Sequence, residues 1–152
     1  MIRLNQTATT GLDRTTAFDH VGDFANIDRW DPGVVNATKA TPGDVGVGTV
    51  YDLTLDYNGR QLEMSYCIVG YEPGRKIVLE GSGLWIKAID VIEFSDHEDG
   101  TLVTYTADLG LTGIGRLIEP LLRGRFEQVG SGAGAGLRRW LGELEDASQS
   151  LG

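Results

Sequence analysis

The chain is patterned in two periods, a strand period for most of its length and a helical one at the end. Between residues 114 and 147, apolar side chains fall at Ile114, Leu117, Ile118, Leu121, Leu122, Phe126, Val129, Ala133, Leu137, Trp140, Leu141 and Leu144. A recurrence of three or four residues predicts a long helix with one buried face. Five glycines interrupt it, Gly124, Gly130, Gly132, Gly134 and Gly136, each costing a helix interior about 1 kcal/mol relative to alanine. Side chains missing halfway along a helix that a sheet must cover imply room for a guest between the two. They also predict a bend or break near 130–136, because glycine leaves helical backbone angles cheaply.

Upstream the period shortens to two. Residues 2–10 open with Ile2 and Leu4 at alternate positions, a half-buried strand. Asp13 or Thr15 caps a short helix over 16–24, with Ala17, Phe18, Val21 and Phe24 on one side. A second short helix or turn over 25–30 is stopped by Pro32-Gly33. Strands follow over 34–40, 48–57, 60–71, 75–81, 85–95 and 101–111. Asn58-Gly59 makes a tight hairpin, and the charged loop Asp96-His97-Glu98-Asp99-Gly100 makes the last one. Consecutive hairpins form an antiparallel meander, whose apolar face needs a cover, and the terminal helix supplies it. The expected fold class is α+β: a curved antiparallel sheet of six or seven strands wrapped round a long C-terminal helix, with two short helices after the first strand, in one domain over 1–152.

Composition narrows the function classes. The 152 residues are 41% hydrophobic and 23% charged, ordinary for a globular domain large enough to hold a core. No apolar run reaches membrane-span length and the N-terminus has no signal-like apolar segment, so no stable membrane insertion is expected. A lone Cys67 leaves no internal disulfide and suits a reducing cytoplasm, the expected location. A net charge of −9 argues against a nucleic-acid partner, which would need a basic face. Arg116, Arg123, Arg125, Arg138 and Arg139 gather on the terminal helix as its solvated side.

Candidate chemistry comes from strand parity. Tyr51, Leu53, Leu55 and Tyr57 share one face, as do Leu62, Met64, Tyr66 and Ile68, and Val103, Tyr105, Ala107 and Leu109. Trp30 closes one end of the interior, Trp140 packs in the core, and Trp85 sits at a cavity mouth or in a dimer contact, so a homodimer stays open. His20 faces solvent on the first helix and His97 lies in the charged loop; with the distant Cys67 they form no metal pattern. Cys67 falls on the outward parity with no histidine beside it, which disfavours a nucleophile. No phosphate loop or nucleophile elbow is present, and Gly130-Ser131-Gly132 follows no strand. No cofactor and no metal are expected.

Six motifs, in order, carry a family resemblance. They are Phe18-Asp19-His20-Val21-Gly22-Asp23-Phe24, Trp30-Asp31-Pro32-Gly33-Val34, Gly46-Val47-Gly48-Thr49, Tyr71-Glu72-Pro73-Gly74-Arg75, Asp99-Gly100-Thr101 and Ile118-Glu119-Pro120-Leu121-Leu122. They resemble the first helix, the successive turns and the start of the terminal helix of the START-like helix-grip (SRPBCC) superfamily. Within it, the chain resembles the polyketide cyclase/dehydrase and lipid-transport group, with Gly74 in place of a second proline. The resemblance implies a deep, mostly apolar cavity between helix and sheet. Members bind lipids, polyketides, aromatic metabolites or hormones, and some cyclise or dehydrate polyketides. No universal catalytic motif carries over, and fold does not settle function.

Matching Phe94 to the family's apolar position turns Ile86, Ala88, Asp90, Ile92 and Phe94 inward, and Ile89 and Val91 outward, toward a partner. Asp90 is then an acid in an apolar pocket, where burial raises its pKa and suits it to general acid or base work. The alternative leaves it at the rim, solvated or paired with Lys87 or Arg75. Three functions follow. The first is binding of a small hydrophobic molecule (a lipid, polyketide or aromatic metabolite) by Trp30, Tyr51, Leu53, Leu55, Met64, Tyr66, Ile92, Tyr105, Phe126, Val129 and Gly132, which needs only a cavity and a few polar handles. The second is a polyketide cyclase/dehydrase with Asp90 and cavity tyrosines as acid/base groups. The third is an interaction module whose cavity is collapsed.

Overall fold

Hairpin follows hairpin along the middle of the chain, and the pairing registers turn that order into one sheet. The computed structural model describes residues 2–57 and 59–151, apart from the side chains of Tyr57, Ile114, residues 121–127, Val129, Ser150 and Leu151. The elements are β1 (Ile2–Thr10), α1 (Arg14–Val21), a 3₁₀ segment (Phe24–Arg29), β2 (Val34–Lys39), β3 (Val50–Tyr57), β4 (Arg60–Glu72), β5 (Lys76–Gly83), β6 (Ile86–His97), β7 (Gly100–Leu111), a second 3₁₀ segment (Gly113–Leu117) and α2 (Glu119–Leu151). The described strands form a seven-stranded sheet in the order β1-β7-β6-β5-β4-β3-β2, antiparallel throughout. The sheet curls around the C-terminal helix, the helix-grip architecture. Bulges between Val34 and Asn36 on the edge strand β2 and between Ile68 and Gly70 on the inner strand β4 add local twist.

Aspartates set the short connections. The Asp13 carboxylate accepts from the Thr16 backbone N–H at 3.3 Å and caps α1. The helix ends at Val21, earlier than the pattern over 16–24 suggests, because Asp23 caps a separate 3₁₀ turn by accepting from Ala25 N–H. Asp31 then accepts from Gly33 N–H at 2.9 Å, a side-chain-closed turn that delivers the chain into β2. At the β3–β4 hairpin Gly59 takes φ +79°, a conformation that favours glycine.

Strand parity holds along the concave face. Ala88, Asp90, Ile92 and Phe94 of β6 are buried while Lys87, Ile89 and Glu93 are exposed. Burial fades toward the β3–β4 tip: Tyr51 and Leu53 are buried, Leu55 only partly, and Leu62, expected inside, is 39% exposed. Its parity is right, but it stands on the part of β4 nearest the hairpin, where neighbouring residues of both strands are also uncovered.

The glycines of α2 differ from expectation. The helix runs unbroken through 130–136. A Cβ on Gly130 would meet the Leu4 side chain of β1 at 3.2 Å, and one on Gly134 would overlap Gln6 of the same strand. A Cβ on Gly132 would meet Pro32 at 3.2 Å, and one on Gly136 would overlap the Trp30 carbonyl. Two i,i+4 pairs thus let the helix backbone settle onto β1 and onto the turn at Trp30–Pro32, and that packing offsets the lost helix propensity. At these four positions, close approach replaces the expected room for a guest. Pro120 lies in the first turn of α2, where its missing N–H costs no helical bond.

Candidate functional site

Asp90 is the central residue of the concave face. It is 1% exposed, pairs in register with Leu79 of β5 and Ala107 of β7, and points toward the interior covered by α2. Two residues from Ala107 on the same face, the Tyr105 hydroxyl donates to Asp90 Oδ2 at 2.5 Å. The other carboxylate oxygen, Oδ1, has no hydrogen-bond partner among the described residues. Burial pushes the Asp90 pKa up to about 7; the Tyr105 hydroxyl holds it down, while the Asp31 and Asp108 carboxylates push it further up. The rim alternative therefore does not describe this residue: Lys87 and Arg75 are exposed, and neither pairs with it.

Trp30 lies beside this pair. Its ring stands edge-on to Tyr105, 5.4 Å between centroids at 82°, and its indole N–H is buried without a partner among the described residues. Trp30, at φ −129° and ψ −24°, ends the 3₁₀ turn, and both Trp30 and Asp31 are buried. Asp31 is raised to about 6 by burial, held back by the Gly33 N–H. Tyr66 of β4 is pushed well up by burial and by Asp90 and Asp31, and Tyr105 likewise.

A second polar handle stands deeper along the same wall. Tyr51 of β3 is fully buried and packs against Phe24, 6.0 Å between ring centroids, which in turn lies 5.2 Å from Tyr66. Burial and the neighbouring Asp23 carboxylate push the Tyr51 hydroxyl up, and it finds no hydrogen-bond partner of normal geometry among the described residues. Asp23 also lines a cleft of about 260 Å³ with Phe18, Asp19, Gly22, Val45 and Tyr71. Among the described residues, Trp30 Nε1 and Asp90 Oδ1 meet no hydrogen-bond partner, and Tyr51 Oη meets none of normal geometry. Each costs roughly 1–3 kcal/mol if nothing meets it.

The structure brings together Trp30, Tyr51, Leu53, Met64, Tyr66, Asp90, Ile92 and Tyr105 on the buried face, with Leu55 at its edge. The side chains of Phe126 and Val129 lie outside the described residues, and Gly132 abuts Pro32 rather than opening space. His20 is half-buried rather than solvent-facing: its Nδ1 is 2.9 Å from the Thr16 carbonyl and its ring edge meets Trp140 at 6.3 Å. No group of three metal-binding side chains occurs among the described residues, and no described helix is long and apolar enough to cross a membrane. Asp31 and Asp23 were not singled out by sequence. Their signal, a carboxylate before Pro-Gly or at a helix start, is that of an ordinary turn or cap.

A curled antiparallel sheet gripping a C-terminal helix, with its polar groups on the gripped face, defines a START-like protein. Residues 1–145 match the family described as polyketide cyclase / dehydrase and lipid transport, and the chain belongs to it. A search of curated proteins finds no match. Among solved structures the fold is similar to that of the Zhui aromatase/cyclase from Streptomyces sp. R1128, with TM-score 0.77, 14% identity and 99% of this chain covering 97% of that one. A START superfamily protein from Mycobacterium smegmatis gives TM-score 0.77 at 13% identity, covering 93% of this chain and 98% of that one. The di-domain ARO/CYC StfQ from the steffimycin biosynthetic pathway gives TM-score 0.74 at 14% identity, with 98% of this chain covering 52% of that chain. At these identities the likeness speaks for the fold alone.

Proposed function

We propose that the protein binds a small hydrophobic molecule, a lipid, polyketide or aromatic metabolite, between the concave sheet and α2. The observation that carries this is the trio of buried polar atoms, Trp30 Nε1, Tyr51 Oη and Asp90 Oδ1, that meet no hydrogen-bond partner of normal geometry among the described residues. An interior with no guest gains nothing from keeping them, whereas a bound molecule supplies their hydrogen bonds. Family membership supports the same class of ligand. The test is displacement of a solvatochromic apolar dye. The wild type should bind it in an enhanced, displaceable manner. Ala107→Leu, which adds bulk in register with Asp90, should weaken binding while the protein stays folded. Equal dye binding by both would move the site elsewhere. No binding by the wild type would favour a collapsed interior.

One observation favours a catalytic role as a second reading. Asp90 is raised to about 7, the poise at which one carboxyl group both gives and takes protons near neutral pH. As carboxylate it would take a proton from carbon next to a ligand carbonyl held by the Trp30 N–H. As acid it would return that proton to a departing hydroxyl, releasing water. Tyr105 would hold the carboxyl in place through Oδ2, leaving Oδ1 to do the chemistry.

A further inference from the structure

Resting on that binding reading, we propose that the molecule held in the interior is a cation: an aromatic or aliphatic body carrying a protonated amine, its ammonium on Asp90 Oδ1 and a neutral oxygen on the Trp30 N–H. The first support is the sign of the buried charge. Among the described buried residues the ionisable acids and bases with a charge near neutral pH are Asp31 and Asp90, both carboxylates, with no lysine, arginine or histidine beside them. Without a cation a buried carboxylate holds its proton to higher pH, as both do here, and a cationic guest would keep it ionised. The second support is the open acceptor. Oδ2 is already taken by Tyr105, and Oδ1, which accepts and cannot donate when ionised, has no donor among the described residues.

The third support is the wall around it. Trp30 and Tyr105 meet edge to face at 5.4 Å, and Tyr66 is close enough for its hydroxyl to feel Asp90. Aromatic faces beside a carboxylate attract an ammonium through the ring quadrupole, and they do nothing comparable for an anion. The fourth is the cleft between α1, the segment before β3 and the end of β4. Its lining carries Asp19 and Asp23 and no basic residue, and Asp23 stands beside the buried Tyr51 hydroxyl. On a chain of net charge −9, such a cleft draws cations and repels anions. A neutral polyketide leaves the buried charge uncompensated, and an anion such as a fatty-acid carboxylate is repelled by it.

The groups facing Asp90 are Tyr105 of β7, Asp31 in the turn before β2 and Tyr66 of β4, while Asp108 of β7 acts from the opposite face of the sheet, where it pairs with Arg3. Protonation of the two buried aspartates therefore removes the attraction, and amine affinity should fall as pH drops through the range from about 7 to about 6. Calorimetric titration of the whole chain with naphthylethylamine, naphthylethanol and naphthylacetate separates the cases. At about pH 8 the amine should bind at least roughly tenfold more tightly than the alcohol, the scale of one charge-assisted hydrogen bond. That preference should vanish at about pH 5 and in Asp90→Asn; in Tyr105→Phe, which keeps the carboxyl group but loses the hydrogen bond that lowers its pKa, it should return once the pH is raised above the shifted midpoint; circular dichroism checks that both variants fold. Equal binding of amine and alcohol, or tighter binding of the acetate, overturns the cation inference while leaving the binding site in place. Binding of none of the three overturns both.

Discussion

Tyr105 donates its hydroxyl to Asp90 across two adjacent strands, 2.5 Å apart, with both side chains buried. Asp90 belongs to β6 and Tyr105 to β7, and the β6–β7 register sets the distance between them. The hydroxyl favours the carboxylate form, and burial opposes it; burial wins, since the pKa stands at about 7 rather than 3.8.

That balance has a sign for stability. Asp90 binds its proton more tightly in the folded state than in the unfolded one, so folding loses stability as pH rises from about 4 to about 7 and stays lower above it. Asp31, raised to about 6, acts in the same direction. Asp90→Asn keeps an acceptor for Tyr105 and removes the charge. It should stabilise the protein at pH 8, on the order of 3 kcal/mol, and change little at pH 4. Denaturant melts at the two pH values check this. A variant less stable than wild type at pH 8 would mean that Asp90 has a counter-charge in the folded chain.

Tyr105→Phe removes the one hydrogen bond that lowers the Asp90 pKa. The carboxyl should then titrate above the wild-type value of about 7, read by carbon-detected NMR of labelled aspartate. A midpoint that falls would mean that the hydroxyl stabilises the acid form instead.

If the family's chemistry operates here, Asp90→Asn should lower turnover of a polyketide-like substrate by about 10²-fold or more while affinity for a neutral ligand changes little, the usual worth of a positioned acid or base. Turnover kept intact would restrict Asp90 to binding.

Two helix glycines make a matched pair. Gly136 lies against the Trp30 backbone carbonyl, which cannot move aside, whereas nothing lies within 4 Å of a Cβ at Gly142. Gly136→Ala should destabilise by about 1–3 kcal/mol or more through overpacking. Gly142→Ala should stabilise by up to about 1 kcal/mol through helix propensity. Thermal melts of the two variants give the comparison. Equal, mild effects would mean that α2 does not press on the Trp30 turn.

Much of the architecture was legible because strands and helices announce themselves by period. Alternation along β6 is enough to bury Asp90, once Phe94 anchors the register, and the same parity buries Tyr51, Tyr66 and Tyr105. Parity says which face a side chain takes and not how far the cover extends, which is why Leu62 comes out exposed. The glycines of α2 were open to misreading for a related cause. A sequence records that side chains are missing, but whether a cavity or another backbone fills the gap depends on elements far away in the chain, here Leu4, Gln6, Trp30 and Pro32. Asp31 escaped notice because its local role, closing a turn onto Gly33, is complete in sequence terms; only the packed fold reveals that the same carboxylate also faces Asp90.

The proposed occupancy of the interior beside Asp90 by a small molecule has a direct test. Native mass spectrometry of the protein purified from its own host, without organic solvent, tests it most directly. An adduct of one small molecule per chain is expected, retained through buffer exchange and lost from Ala107→Leu. A wild-type spectrum showing the bare chain mass alone, together with no displaceable dye binding, would contradict it.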